Sequence, residues 1–369
     1  MPYLSALLER WRQADANEQE VAREEAHTLA LAIHEYWPVE AVHSWRASQQ
    51  AQAGELLAAL AELGDPAAAA KFIAERIAAG AYGAGDNAPL VAVLAELPEA
   101  QAAELLNAVI SGNGPVKPTA CADLLARYTA QSERSTEPLC PAAEGLLAAL
   151  PGAADRAANT AAEPRPEQRY RREPPSPALV ADTLTALSRI DAALAERALT
   201  LFLENPERYP IDGILLPAAL HLVEQDRPGA SKPHSDAAKA DPACNGAAAT
   251  RLRETVLQHL EQRIAEPLAP PDDWQRPATI RCTCTDCRNL NSFLASATAS
   301  TWRLKAVEQA RKHVEHSIQR SQCDLNRTTD KRGRPYTLVC TKNQASHERR
   351  VQQREKDLAN RQRLRAALS

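Results

Sequence analysis

"GELLAALAELGDPAAAAKFIAERIAAG", residues 54 to 80, decides the fold. Leu56, Leu57, Leu60 and Leu63 recur at helical spacing, and so do Phe72, Ile73 and Ile77. This is the period at which one face of an α-helix stays apolar. Gly64, Asp65 and Pro66 stand between the two runs. Glycine closes a helix by tolerating left-handed backbone, aspartate caps the next by accepting amide hydrogen bonds, and proline fits a first turn whose amides lack partners. The stretch predicts a helical hairpin.

The same pattern extends on both sides. "NAPLVAVLAELPEAQAAELLNAVISG" (87–112) breaks at Pro98 and resumes with Leu105, Leu106, Val109 and Ile110, and "TACADLLARY" (119–128) follows. Helical text returns over residues 178–224. Alanine richness favours helix and close helix packing, and five Trp, seven Tyr and three Phe are few for a β-sandwich or barrel. The predicted class is all-α, either α-solenoid-like hairpins or an irregular helical bundle, because no fixed repeat period emerges. "GAYGAGDN" (80–87) reads as an inter-helix loop, since no strand precedes it and no phosphate-binding lysine follows.

A chain of 369 residues exceeds what one core usually organises. The reading divides it into a helical domain over 1–150, a flexible Pro- and charge-rich linker over 151–177, and a helical domain over 178–268 with a disordered insertion over 225–249. A basic Cys/His module with a terminal helix occupies 269–369. His234 and Asp236 form a His-x-Asp pair within the insertion; iron(II) oxygenases mount such a pair on a rigid strand, and without β-rich text around it this one reads as solvated loop.

Charge is lopsided. The net −4 divides into −15 over residues 1–280 and +11 over 281–369, a pattern that suits a basic binding end or two mutually attracting halves of one chain. The eight cysteines do not form a secreted disulfide framework, no apolar signal core stands at the N-terminus, and no run reaches membrane-spanning length. The expectation is a soluble protein of a reducing compartment, cytoplasmic or nuclear, with no membrane partner.

"RCTCTDC" (281–287) brings Cys282, Cys284 and Cys287 together. Soft thiolates suit zinc, and three of them need one more ligand to complete a tetrahedron. The candidates are His313, His316 and Cys323, downstream of or within a helix-like stretch from Trp302 to Gln319. His313 is preferred because a helix holds its imidazole rigidly. Such a site is structural rather than catalytic, as no carboxylate base accompanies it. The plain alternative is three reduced cysteines packed as small apolar residues. "YTLVCTK" (336–342) reads as a short strand in which Cys340 alternates with Leu338.

The terminal segment carries Arg349, Arg350 and Arg354 on a predicted helix, beyond Arg332 and Arg334 in "DKRGRPY". These five arginines define a nucleic-acid-binding alternative. The competing reading is a solvated helix that turns Val351, Leu358 and Leu364 or Leu368 inward, supported by Glu355 and Asp357.

"CTCTDCRNLNSFL", "ARKHVEHSI" and "CDLNRTTDKRGRPYTLVCTK" together resemble the C-terminal, post-catalytic region of large fungal and bacterial 2-oxoglutarate/iron(II) oxygenases of the prolyl-hydroxylase-like type, and "YPIDGILLPAALHL" resembles the segment before it. The resemblance covers about ninety residues most closely. It implies an oxygenase-associated region without the oxygenase, because the jelly roll and its ligand residues have no matching positions here. Since function follows sites rather than family, the expected role is a non-catalytic scaffold or protein-interaction protein, with nucleic-acid binding as the alternative.

Overall fold

The computed structural model describes residues 1–15, 17–37, 46–131, 134–153, 173–225 and 246–366. The expected linker and insertion fall mostly on residues 154–172 and 226–245, and these, with His234 and Asp236, lie outside the described residues. The described chain is mostly helical with one small antiparallel sheet. It forms two compact units, Met1–Leu257 with Arg363–Ser369, and Gln258–Gln362.

In the first unit the opening hairpin forms as its residues dictate. Helix α3 (Arg46–Glu62) buries Leu56, Leu57 and Leu60, each side chain contributing about 2 kcal/mol by removal from water. Gly64 takes φ +76°. Asp65 then accepts the Ala68 amide at 2.9 Å and starts α4 (Pro66–Phe72) with proline in its first turn. A π-helical turn, Ile73–Ile77, continues it. His27, on α2 (Gln19–Glu35), lies 2.7 Å from the same carboxylate, and α2 itself packs on α1 (Pro2–Gln13).

The hairpins stack in two rows. Helices α3, α5 (Asn87–Glu96), α7 (Pro118–Gln131), α9 (Pro177–Ile190) and α11 (Leu216–Gln225) contact one another in that order. Opposite them run the π-turn after α4, then α6 (Glu99–Asn113), α8 (Cys140–Ala149) and α10 (Ala192–Glu204). No single helix can cover its apolar face alone, so each is closed by neighbours in its own row and in the other. Helix α7 packs against α9, so residues of the expected 1–150 and 178–268 segments lie together in the first unit, which runs to Leu257. Residues 80–86 form the inter-helix connection, ending in a 3-10 turn at Ala84–Asp86, and Asn87 already opens α5. The connection is anchored by buried Tyr82, whose hydroxyl donates to Asn87 Oδ1 at 2.7 Å and approaches Ala120 O at 2.8 Å.

In the second unit, helix α13 (Thr285–Ala295) precedes β1 (Thr301–Lys305), α14 (Glu308–Arg320), β2 (Leu325–Asp330), β3 (Thr337–Lys342) and α15 (Ala345–Arg365), with α12 (Ala247–Ala265) entering it from the first unit's sequence. The sheet order is β1-β3-β2, with Trp302 opposite Cys340 and Arg327 opposite Cys340 from the other side. The helix-like stretch expected from Trp302 begins instead as a strand: Thr301, Arg303 and Lys305 are exposed while Trp302 and Leu304 pack against the core, a period of two that helix propensity does not describe. That core holds Leu290, Phe293, Leu294, Val314, Ile318, Leu338 and Cys340. The strand expected at 336–342 is β3, with Leu338 and Cys340 buried on one face.

Helix α15 differs from its expected packing in one respect. Leu358, expected inward, is exposed, and Asp357 is buried in its place. The Arg263 guanidinium donates to both Asp357 carboxylate oxygens at 2.6 Å, and Gln353 adds a third bond at 2.9 Å. A fully hydrogen-bonded ion pair makes an inward aspartate tolerable, where an unpaired one would not be.

Two predictions test this packing. An added Cβ at Gly112 in α6 would stand 2.0 Å from the Ala78 carbonyl oxygen. Gly112→Ala, which would stabilise an exposed helix interior, should here destabilise by about 1–3 kcal/mol in chemical denaturation. The second concerns Asp182, which burial pushes up to about 7, with the Asp123 charge adding to the rise. A carboxyl with a raised folded pKa contributes stability at low pH that is lost as pH climbs from about 4 through about 7. Asp182→Asn should therefore raise the unfolding free energy measured by denaturant titration near pH 8 by on the order of 2 kcal/mol, and change it little near pH 4.

Candidate metal centre

The geometry of "RCTCTDC" follows from where the helix begins. Residues 281–283 lie outside helix and strand, Cys284 itself is extended just before the helix, and Cys282 and Cys284 both reach His313. Helix α13 then starts at Thr285, so Cys287 lies in its first turn and is buried. The Asn291 side chain fixes the approach: its amide donates to Ile280 O at 2.8 Å, and its oxygen accepts from Ile280 N at 3.2 Å. His313 comes from α14, whose opposite face buries Val314 and Ile318 in the core.

The four side chains converge. His313 Nε2 lies 3.3 Å from Cys282 Sγ, 3.5 Å from Cys284 Sγ and 3.5 Å from Cys287 Sγ, and all four ligand atoms lie within 4.8 Å of one another. Bonds of about 2.3 Å to sulfur and 2.0–2.1 Å to nitrogen at tetrahedral angles set a sulfur–nitrogen edge of about 3.5 Å. The cluster can hold a metal ion, and its donor set of three sulfurs and one imidazole nitrogen suits a borderline-soft cation. Ser317, one turn beyond His313, receives a 3.6 Å contact from Cys287 Sγ and donates its own hydroxyl to His313 O at 2.9 Å.

The thiols differ. The Cys287 backbone N–H, at the start of α13, and neighbouring side chains lower exposed Cys284 to about 7. Burial pushes Cys287 up to about 12. A thiolate forms first at the exposed position, and a bound cation would favour deprotonation of the buried one, since a coordinating thiol gives up its proton.

Of the proposed fourth ligands, His313 joins the cluster; His316 and Cys323 stay outside it. Cys323 Sγ instead lies 3.6 Å from Thr279 Oγ1, and Cys340 is buried in the core. The five arginines of the nucleic-acid alternative do not form one free surface. Arg349 lies 3.6 Å from buried Asp324, Arg350 donates to Pro267 O at 2.8 Å, and Arg354 donates to Glu266 O at 3.1 Å. Arg332 and Arg334 are exposed between β2 and β3.

Sequence reasoning missed the surroundings of the cluster. Arg281, Lys312, His316 and Arg320 line a groove beside it together with Cys282 and His313. The four-residue spacing of Lys312, His316 and Arg320 along α14 was the available signal. Among the described residues no helix is long and apolar enough to cross a membrane. Comparison with protein-family models, curated proteins and solved structures finds no match for the chain.

The cluster makes a sharp prediction about ligand identity. Cys287→Ser and His313→Ala should each abolish stoichiometric metal in elemental analysis of purified protein. His313→Cys, which keeps four soft donors, should retain it, as should His316→Ala and Cys323→Ser.

Proposed function

We propose that this chain is a non-catalytic scaffold protein whose second unit is cross-linked by one structural zinc ion held by Cys282, Cys284, Cys287 and His313. The observation that carries the zinc reading is the number and spacing of the donors: three sulfurs and one nitrogen lie within 4.8 Å of one another, enough to fill a tetrahedral ion's four positions and leave none for water or substrate. The core of the second unit is small, and a metal adds the cross-link that a limited apolar core does not supply. The stacked hairpins of the first unit support the scaffold part, because two-row helical arrays present extended surfaces for partners. The thiolate site suits a reducing, intracellular setting. The resemblance to the post-catalytic region of 2-oxoglutarate/iron(II) oxygenases makes an accessory role beside such an enzyme part of this reading. The nucleic-acid alternative draws less support, since three of its five arginines already have partners within the unit.

Hydrogen exchange read by mass spectrometry before and after chelation tests the proposal. Metal removal should speed exchange across residues 280–320, where the ligands and the helices that carry them lie, and leave residues 87–131 unchanged. Unchanged exchange at 280–320 in verified metal-free protein would remove the structural role; zinc absent from protein purified without chelator would remove the site.

A further inference from the structure

Helix α14 delivers His313 and carries a second feature. Its buried stripe is Arg311, Val314 and Ile318. Lys312, His316 and Arg320, all exposed, follow one another along the groove side. Across from them runs the segment Thr279–Cys282, outside helix and strand, and the groove between has a volume of about 1040 Å³. Among the described residues no aspartate or glutamate lines it. Among the described residues Arg281 and Arg320 have no acidic partner, while Lys312 shares a 2.6 Å ion pair with Glu308 in which both side chains are about two-thirds exposed. Such a surface pair is weak and easily exchanged for another carboxylate. A divalent ion on three thiolates leaves a net −1 at the metal site, so Arg281, Lys312 and Arg320 keep the groove positive.

Spacing narrows the occupant. Residues four apart on a helix rise about 6 Å per step. Side chains on one side of an extended peptide repeat every second residue, about 6.6–6.8 Å apart. A peptide with acidic residues at alternate positions therefore runs in step with Lys312, His316 and Arg320, and Arg281 meets it from the other wall. Single-stranded nucleic acid fits less well, because no aromatic side chain lines the groove for base stacking.

We infer that this groove docks an extended acidic segment of a partner protein, its alternate carboxylates facing Lys312, His316 and Arg320, with Arg281 closing the opposite side. The inference rests on the interaction-protein reading above and names the chemistry of the partner.

Fluorescence anisotropy on the full chain at about 50 mM salt tests it. The probe is a fluorescein-labelled peptide of alternating glutamate and serine. Arms of equal length contain the same glutamates in one block, or lysine in place of glutamate, and a short oligothymidylate is the fourth. The alternating peptide should bind best, and Arg281→Gln with Arg320→Gln should weaken it about fivefold or more. Arg303→Gln with Lys305→Gln, on the exposed face of β1, should change it less than about twofold. Should the first double variant fold poorly, Lys312→Gln with Arg320→Gln reads the same stripe. Equal losses from the groove and β1 variants, no binding of the alternating peptide, or tighter binding of oligothymidylate that displaces it would each overturn the inference. Elemental analysis of the same wild-type sample separates the two levels. Stoichiometric zinc without peptide binding overturns the groove alone, whereas peptide binding without zinc overturns the structural-zinc proposal and leaves the groove standing.

Discussion

The convergence of three sulfurs and one imidazole, all within 4.8 Å of one another, is the constraint that ties the segment before α13 to both helices of the second unit's core. The apolar core beneath β1, β2 and β3 is built from few large side chains, and it holds α13 and α14 through Leu290, Leu294, Val314 and Ile318. The chain before α13 contributes only Ile280 and the edge of Cys282 to that core. What holds this segment is polar: the Asn291 amide ties Ile280 to α13, and the meeting of Cys282, Cys284 and Cys287 with His313 ties it to α14. A cluster of unpaired thiols would gain little from such closeness. With a cation between them the same closeness becomes bonding, which is why the geometry reads as a metal centre more naturally than as packed cysteines.

The first unit solves a different problem. Its helices are rich in alanine, so each offers a shallow apolar face that gains from very close approach. Gly112 shows how close: the backbone of α6 lies where even one methyl group on it would meet the Ala78 carbonyl. Buried polar groups then fix the register that small side chains leave loose. Tyr82 and Asn87 both reach Ala120 O, and Asn113 donates to Ile77 O at 2.9 Å, tying loops and helix ends across neighbouring layers. Unsatisfied, each such group would cost more than a lost methyl contact, so they select one stacking arrangement among several that alanine faces would accept.

Charge in the second unit is spent in two ways. Arg276, Arg263, Arg350 and Arg354 bond to backbone carbonyls or to Asp357 and serve the fold. Arg281 and Arg320 line an open groove and do not. The run of arginines near the C-terminus looks uniform in sequence, yet most of its members have structural partners. Exposed basic residues also stand elsewhere: Arg332 and Arg334 between β2 and β3, and Arg281, Lys312 and Arg320 beside the cysteines.

Local residue order was enough for the helical class, for the hairpin at Gly64-Asp65-Pro66, for the strand around Cys340 and for the three clustered cysteines, because each rests on a short-range regularity: helical period, capping chemistry, strand alternation and close cysteine spacing; which of His313, His316 and Cys323 joins the cysteines is decided by where α14 packs. The strand at Trp302 escaped because five residues carry too little periodicity to oppose a following helix, and its pairing with β3 spans a distant segment. Asp357 escaped because an acid on a basic helix reads as solvated until Arg263, far away in sequence, meets it. The union of the two helical stretches and the groove beside the cysteines likewise depend on contacts between remote segments. Short-range order follows from backbone sterics and side-chain periodicity within a few residues, whereas burial and charge pairing are properties of neighbours in space, and only the tertiary structure decides who those neighbours are.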